Sequence, residues 1–135
     1  MGNRTLSLLK TRAVLINSLT AIATLSLGSS AGLAAGDRAA GQQLFATHCS
    51  PCHATEPGVN KVGPSLAGVV GRTSGSEPGY NYSPALKAAN IKWDEKTLDQ
   101  WLQNPTGDVH GAKMFITVPK AGDRQNVIAY LETLK

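Results

Sequence analysis

Residues 48–53 read HCSPCH, and they hold both cysteines of the chain and two of its three histidines. Concentrating four reactive side chains in six positions asks for a chemical reason. The pattern Cys49-x-x-Cys52-His53 supplies one, because it is the attachment motif of c-type haem. Two thiols three positions apart can add to the two vinyl groups on one edge of the macrocycle. His53 then lies under the iron and can ligate it through a ring nitrogen. Ser50 and Pro51 are spacers.

Three other uses of the same residues compete. Cys49 and Cys52 could form a structural disulfide. They could be a thioredoxin-like redox pair, but that needs a βαβ setting, which the sequence does not provide. They could be half of a zinc site, but there is no second cysteine pair, and His48 and His110 would have to complete it.

The beginning of the chain favours an exported protein. Arg4, Lys10 and Arg12 form a basic region without a nearby acid, Ala13 to Leu27 is mostly apolar, and GSSAGLAAG follows with small residues. That is the layout of a secretory signal peptide. The predicted cut is after Ala31, Ala34 or Ala35, so residues 1–35 are a cleaved signal and residues 36–135 a monohaem domain. The apolar run is short for a spanning helix, which needs about 20 residues, and it contains Asn17, Ser18, Thr20 and Thr24. No stable membrane anchor is expected. A mitochondrial presequence is also basic and acid-poor, but the apolar run argues against it. Export also suits disulfide-permissive chemistry.

Removing the signal changes the charge. The whole chain carries a net +4. Residues 36–135 keep ten basic and nine acidic side chains, a net of +1. Nothing in that balance points to nucleic acid. A domain of this size buries one modest core and often leans on a cofactor or a staple.

Three segments read as main helices. DRAAGQQLFATH starts at Asp37, a good N-cap, with Leu44 and Phe45 facing a core. DEKTLDQWLQN starts at Asp94 and places Leu98, Trp101 and Leu102 on one face, and Asn104-Pro105 stops it. DRQNVIAYLETLK is capped by Asp123 and repeats Val127, Ile128, Leu131 and Leu134 at helical spacing. A short helix follows Ser83-Pro84. Gly41 is a poor helix former; either it weakens the first helix or it lets another helix approach closely. From Ala54 to Tyr82 the chain is rich in Gly and Pro, with no strand alternation. So long a loop in a small domain wraps something. The expected fold is all-α, with long loops around one bulky ligand.

The iron needs a sixth ligand or an open position. With Met1 removed, Met114 is the one methionine left. A lone Met is commonly core filler, yet this one sits in HGAKMFITVP, which has no helical or strand period. His110 competes, although a lone loop histidine is more often a solvated surface group. His48 is on the same side as His53 and is poorly placed. His53 and Met114 as axial ligands would raise the reduction potential and close the iron to external ligands. One-electron transfer through an exposed haem edge is what remains.

The mature chain as a whole resembles a class I c-type cytochrome, close in pattern to mitochondrial cytochrome c and bacterial cytochrome c2. The resemblance is carried by Gly41 and Phe45, CSPCH, KVGPSLAGVVGR, Tyr80-Asn81-Tyr82-Ser83, Ile91-Lys92-Trp93, Asn104-Pro105, GAKM and DRQNVIAYL. It implies the cytochrome c fold. It also implies that Gly41 and Phe45 cross the last helix near Tyr130. The Pro64 carbonyl would accept from the other ring nitrogen of His53, which fixes the ring and tunes its basicity. Arg72, Tyr82 and Trp93 would bind a buried haem propionate. Two positions depart from the pattern: Ala112 stands where Thr is frequent, and Trp101 where an aromatic hydroxyl often touches the Met sulfur. Lysines that follow Asn104-Pro105 in mitochondrial members are replaced by Thr106-Gly107.

The reading is therefore a monomeric carrier of single electrons, not an enzyme, holding one haem c in the periplasm. Its expected partners are a quinol-cytochrome c oxidoreductase, a terminal oxidase, a photosynthetic reaction centre or a periplasmic dehydrogenase. Lys61, Lys87, Lys113 and Lys120 could flank the haem edge, and the low net charge predicts weak electrostatic docking. The second reading is a haem protein with a labile sixth ligand, acting as a peroxidase-like enzyme or gas sensor.

Overall fold

The computed structural model describes residues 36–135, so the predicted signal and its cut lie outside the described residues. Helix α1 (Arg38–Leu44) begins where the Asp37 carboxylate accepts from the backbone N–H groups of Ala39 and Ala40. These are donors that a helix start otherwise leaves unpaired. α1 runs directly into a π-helical turn, Phe45–Cys49. Side chains bond back onto this turn: the Thr47 hydroxyl donates to the carbonyls of Gln43 and Leu44, and the Ser50 hydroxyl to that of Ala46. The widened turn delivers the chain to Cys49 and Cys52.

The other helices are α2 (Pro84–Ala88), α3 (Glu95–Gln103), α4 (Pro105–Asp108) and α5 (Ala121–Leu131). Ser83 caps α2 through Leu86 N–H, with Pro84 in the first turn. Asp94 and Thr97 form a reciprocal capping box at the start of α3, which pairs two orphan donors at once.

Two helix boundaries differ from the sequence reading. Asn104-Pro105 ends α3 but also starts α4: the Asn104 side chain accepts from Gly107 N–H and Pro105 takes the first helical position. The last helix starts at Ala121 rather than after Asp123, with Lys120 at the N-cap and no side-chain cap. Arg124 holds that entry instead. Its Nη1 donates to the carbonyls of Val118 and Pro119 at 3.0 and 2.8 Å. Asp123 lies inside the first turn, where a negative charge suits the helix dipole.

α1 and α3 both pack on α5. Gly41 sets the α1–α5 distance, because a Cβ there would stand 1.9 Å from the Asn126 carbonyl oxygen. At the same crossing the Phe45 and Tyr130 rings meet at 5.3 Å. The core gathers Phe45, Val69, Trp93, Leu98, Trp101, Leu102, Val109, Val127, Ile128 and Leu131. Between residues 54 and 82 the chain is turn and loop; the Thr73–Lys92 bridge is isolated. The structure is all-α, as expected. No helix among the described residues is long and apolar enough to cross a membrane.

Candidate functional site

One cleft of about 340 Å³ brings together every site residue predicted from the sequence: Cys49, Cys52, His53, Pro64, Arg72, Tyr82, Trp93 and Met114. Leu66, Val69, Leu98, Leu102, Val127 and Leu131 line it as well, so most of its wall is apolar. Part of the hydrophobic core and the wall of the cleft are thus the same side chains.

The motif residues enter from the π turn. Backbone N–H groups of Cys52 and His53 both donate to the Cys49 carbonyl, folding the pentapeptide into a tight turn. The two cysteines are free. Burial, and then the neighbouring Cys52, push the Cys49 thiol up to about 11. A nucleophilic redox cysteine has the opposite shift. Among the described residues no three of His, Cys, Asp and Glu converge as a metal cage, which leaves the zinc reading without ligands.

The ring of His53 is fixed on one side. Its Nδ1 lies 2.8 Å from the Pro64 carbonyl. A carbonyl only accepts, so Nδ1 carries the proton and the lone pair of Nε2 is free for a metal. Burial lowers the pKa of His53, the Pro64 bond opposes this, and the charge of Lys61 adds to the lowering. The ring is therefore neutral at pH 7, the form that ligates. Gly63 makes room for it: a Cβ at Gly63 would stand 2.3–2.8 Å from three ring atoms of His53.

Arg72 and Trp93 are brought side by side by backbone pairing. Gly71 N–H donates to the Trp93 carbonyl at 2.7 Å, and Trp93 N–H to the Arg72 carbonyl at 2.8 Å. The Arg72 guanidinium donates to the carbonyls of Ala67 and Ser65 and pairs with Glu77. Its Nε is buried without a partner. Burial raises the Tyr82 pKa above its ordinary value, so its hydroxyl stays protonated. Trp93 and Trp101 meet edge to face at 5.3 Å.

Met114 belongs to the loop between α4 and α5 and packs against the core cluster. The loop is tied down nearby, where Val118 N–H donates to the Leu102 carbonyl at 2.7 Å. His110 is exposed, and neither it nor Ala112 lines the cleft. His48 lines it, but its Nδ1 is engaged with the Thr47 hydroxyl at 2.7 Å.

Sequence reasoning missed Ser65 and Glu77. Ser65 is fully buried; its hydroxyl donates to the Glu56 carbonyl and its carbonyl receives Arg72. Ser65 lies within KVGPSLAGVVGR but was given no role there, Glu77 belongs to no motif, and the roles of both depend on where the loop returns.

The donor set fits a flat, largely apolar group with an acidic edge and a metal. Two thiols, a neutral imidazole and a thioether line the cleft, and a buried guanidinium nitrogen beside it has no partner.

The cytochrome c family model matches residues 38–135. The chain is 46% identical over 101 residues to cytochrome c of Euglena viridis, covering 74% of this chain and 99% of that protein. It is 50% identical over 101 residues to cytochrome c2 of Rhodopila globiformis, covering 74% and 95%. Among solved structures, cytochrome cH from Methylobacterium extorquens is similar with a TM-score of 0.68 and 44% identity, over 73% of this chain and 99% of that one.

Proposed function

The chain belongs to the cytochrome c family, haem electron carriers with one covalently bound haem c, and we propose that it shuttles single electrons between redox complexes of a bacterial periplasm. When bound, the haem supplies a one-electron couple, ferric to ferrous. Cys49 and Cys52 would hold it covalently, and His53 and Met114 would ligate its iron. The observation that carries this reading is the His53–Pro64 bond, which presents a neutral imidazole with a free Nε2 to a cleft also lined by Met114.

The remaining residues bind, orient and exclude water. Arg72, Tyr82 and Trp93 are donors for a buried propionate. Leu66, Val69, Leu98 and Leu102 keep the interior dry, which strengthens these bonds. With both His53 and Met114 as ligands, the iron would have no position left for oxygen or peroxide, and the site would carry electrons rather than turn over a substrate.

Partners meet the rim of the cleft. Val62 and Phe115 are both 76% exposed, and Ile116 accompanies them there. An apolar patch with few fixed charges suits brief encounters. Lys61 and Lys113 are partly occupied by the carbonyls of Ser50 and Asn81. Suitable partners are a quinol-cytochrome c oxidoreductase, a terminal oxidase, a reaction centre or a dehydrogenase, with the carrier acting as a monomer.

The test is the visible spectrum of the full-length chain, expressed in a host that attaches haem, with and without carbon monoxide. A low-spin c-type spectrum unmoved by carbon monoxide supports a closed His/Met carrier. A clear shift would replace it with a peroxidase-like enzyme or gas sensor. Absence of haem bands would overturn both.

A further inference from the structure

Glu77 carries a charge that the electron-carrier reading leaves unused. Its side chain is 8% exposed, and its carboxylate pairs with Arg72 Nη1. Burying a carboxylate is costly unless a cation and hydrogen bonds compensate it. Arg72 provides the cation. Yet Arg72 is also the guanidinium lining the cleft, and its Nε is the nitrogen still without a partner. Tyr82 lies beside this pair and feels the charges of both Arg72 and Glu77, and the ring of Tyr80 packs edge-on against it at 4.8 Å.

One guanidinium would therefore serve two carboxylates. Glu77 takes Nη1 from within the protein, and the unpaired Nε would be left for a haem propionate. Resting on the electron-carrier reading above, we propose that Glu77 is a positioning residue that sets the reduction potential through Arg72. Ferric iron gains one electron to become ferrous, so a nearby uncompensated cation favours the reduced form. Glu77 cancels much of the Arg72 charge and favours the oxidised form. It also fixes the plane of the guanidinium, leaving Nε for the propionate. Because the pair is largely buried, salt screens this effect only weakly.

The experiment compares reduction potentials of wild-type, Glu77→Gln, Glu77→Asp and Glu132→Gln proteins by spectroscopic redox titration. Each is the full haem-bearing chain, titrated at low and high salt, with thermal unfolding measured alongside. Glu77→Gln keeps the shape of the side chain and should raise the potential at both salt concentrations. Glu77→Asp should restore most of the wild-type value. Glu132→Gln removes an exposed carboxylate and should leave the potential nearly unmoved. A Glu77→Gln protein that is less stable but has an unchanged or lowered potential would overturn the proposal and leave Glu77 a structural residue. An upward shift of equal size in Glu132→Gln would also overturn it, as a bulk charge effect. A wild-type chain without haem would overturn the carrier reading, and this proposal with it.

Discussion

Replacing Gly41 by alanine should destabilise the protein, although alanine is the better helix former. The added Cβ would lie 1.9 Å from the Asn126 carbonyl oxygen, 2.6 Å from its carbon and 3.0 Å from Tyr130 Cβ. Ordinary contact needs about 3.5 Å, so α5 must withdraw by roughly 1.5 Å. The obstacle is helix backbone and cannot rotate aside. Withdrawal also loosens the Phe45–Tyr130 ring contact at 5.3 Å, worth about 0.5–1.5 kcal/mol. Overpacking costs about 1–3 kcal/mol, and helix propensity returns about 1 kcal/mol. The net loss is about 2 kcal/mol, a fall in Tm of roughly 8–16 °C for a domain of this size. Gly122→Ala is the control. That glycine lies in α5 with nothing within 4 Å of its would-be Cβ, and the change should stabilise by about 0.4–1 kcal/mol. Thermal unfolding of the haem-bearing protein, followed by circular dichroism, reads both. If Gly41→Ala melts at or above the wild-type temperature, the close crossing does not limit packing and the reasoning fails.

Gly63→Ala should disturb the imidazole of His53, whose ring atoms lie 2.3–2.8 Å from the new methyl group; a wild-type low-spin spectrum would contradict this. Arg124→Ala should cost about 1–3 kcal/mol, because it removes charge-assisted hydrogen bonds to a partly exposed Asp99 and to two loop carbonyls. It should also make the iron more reactive to carbon monoxide by freeing the Met114 loop, and an unchanged carbon monoxide affinity would refute that link. The Asp94 pKa is lowered first by the Thr97 backbone N–H and then by its side chain. Its contribution to stability is therefore present above the unfolded value of about 3.9 and is lost as pH falls through the lower folded value. The denaturation midpoints of wild type and Asp94→Ala should converge in acid, and a constant gap would exclude the cap as the cause. Finally, residues 36–135 carry a net +1, so the bimolecular rate with a redox partner should fall only modestly with salt; a steep dependence would contradict weak electrostatic docking.

The parts of the fold written in local patterns were legible in the sequence. Asp37, Asp94 and Ser83-Pro84 announced three helix starts, and the absence of alternation between 54 and 82 announced a loop. Gly41 could be read in two ways until a partner helix lay on it. What escaped depends on context. Asn104-Pro105 is at once a stop and a start, since Asn caps and Pro suits a first helical position. Asp123 looked like a cap, but Arg124 anchors the helix entry from the inside through two carbonyls. The π turn arises from hydroxyls of Thr47 and Ser50 bonding backwards, a local competition that hydrophobic spacing does not register. In the site, the residues belonging to CSPCH and GAKM were visible because the chemistry needs those types. Glu77 was not, because a carboxylate in a polar loop reads as solvated until Arg72 is seen beside it.

The bond from Asp37 N–H to the Asn126 side chain spans 89 positions, and it belongs to the same crossing that Gly41 permits. The first and last helices close on each other like a clasp. Closure between elements so far apart in the chain is non-local and slow to complete. Until it is made, the wall that Val127 and Leu131 of α5 give the cleft is missing, and Cys49 and Cys52 stay open from that side. For a chain that receives its haem unfolded, the docking of the last helix would then be the step that closes the cleft over the attached group.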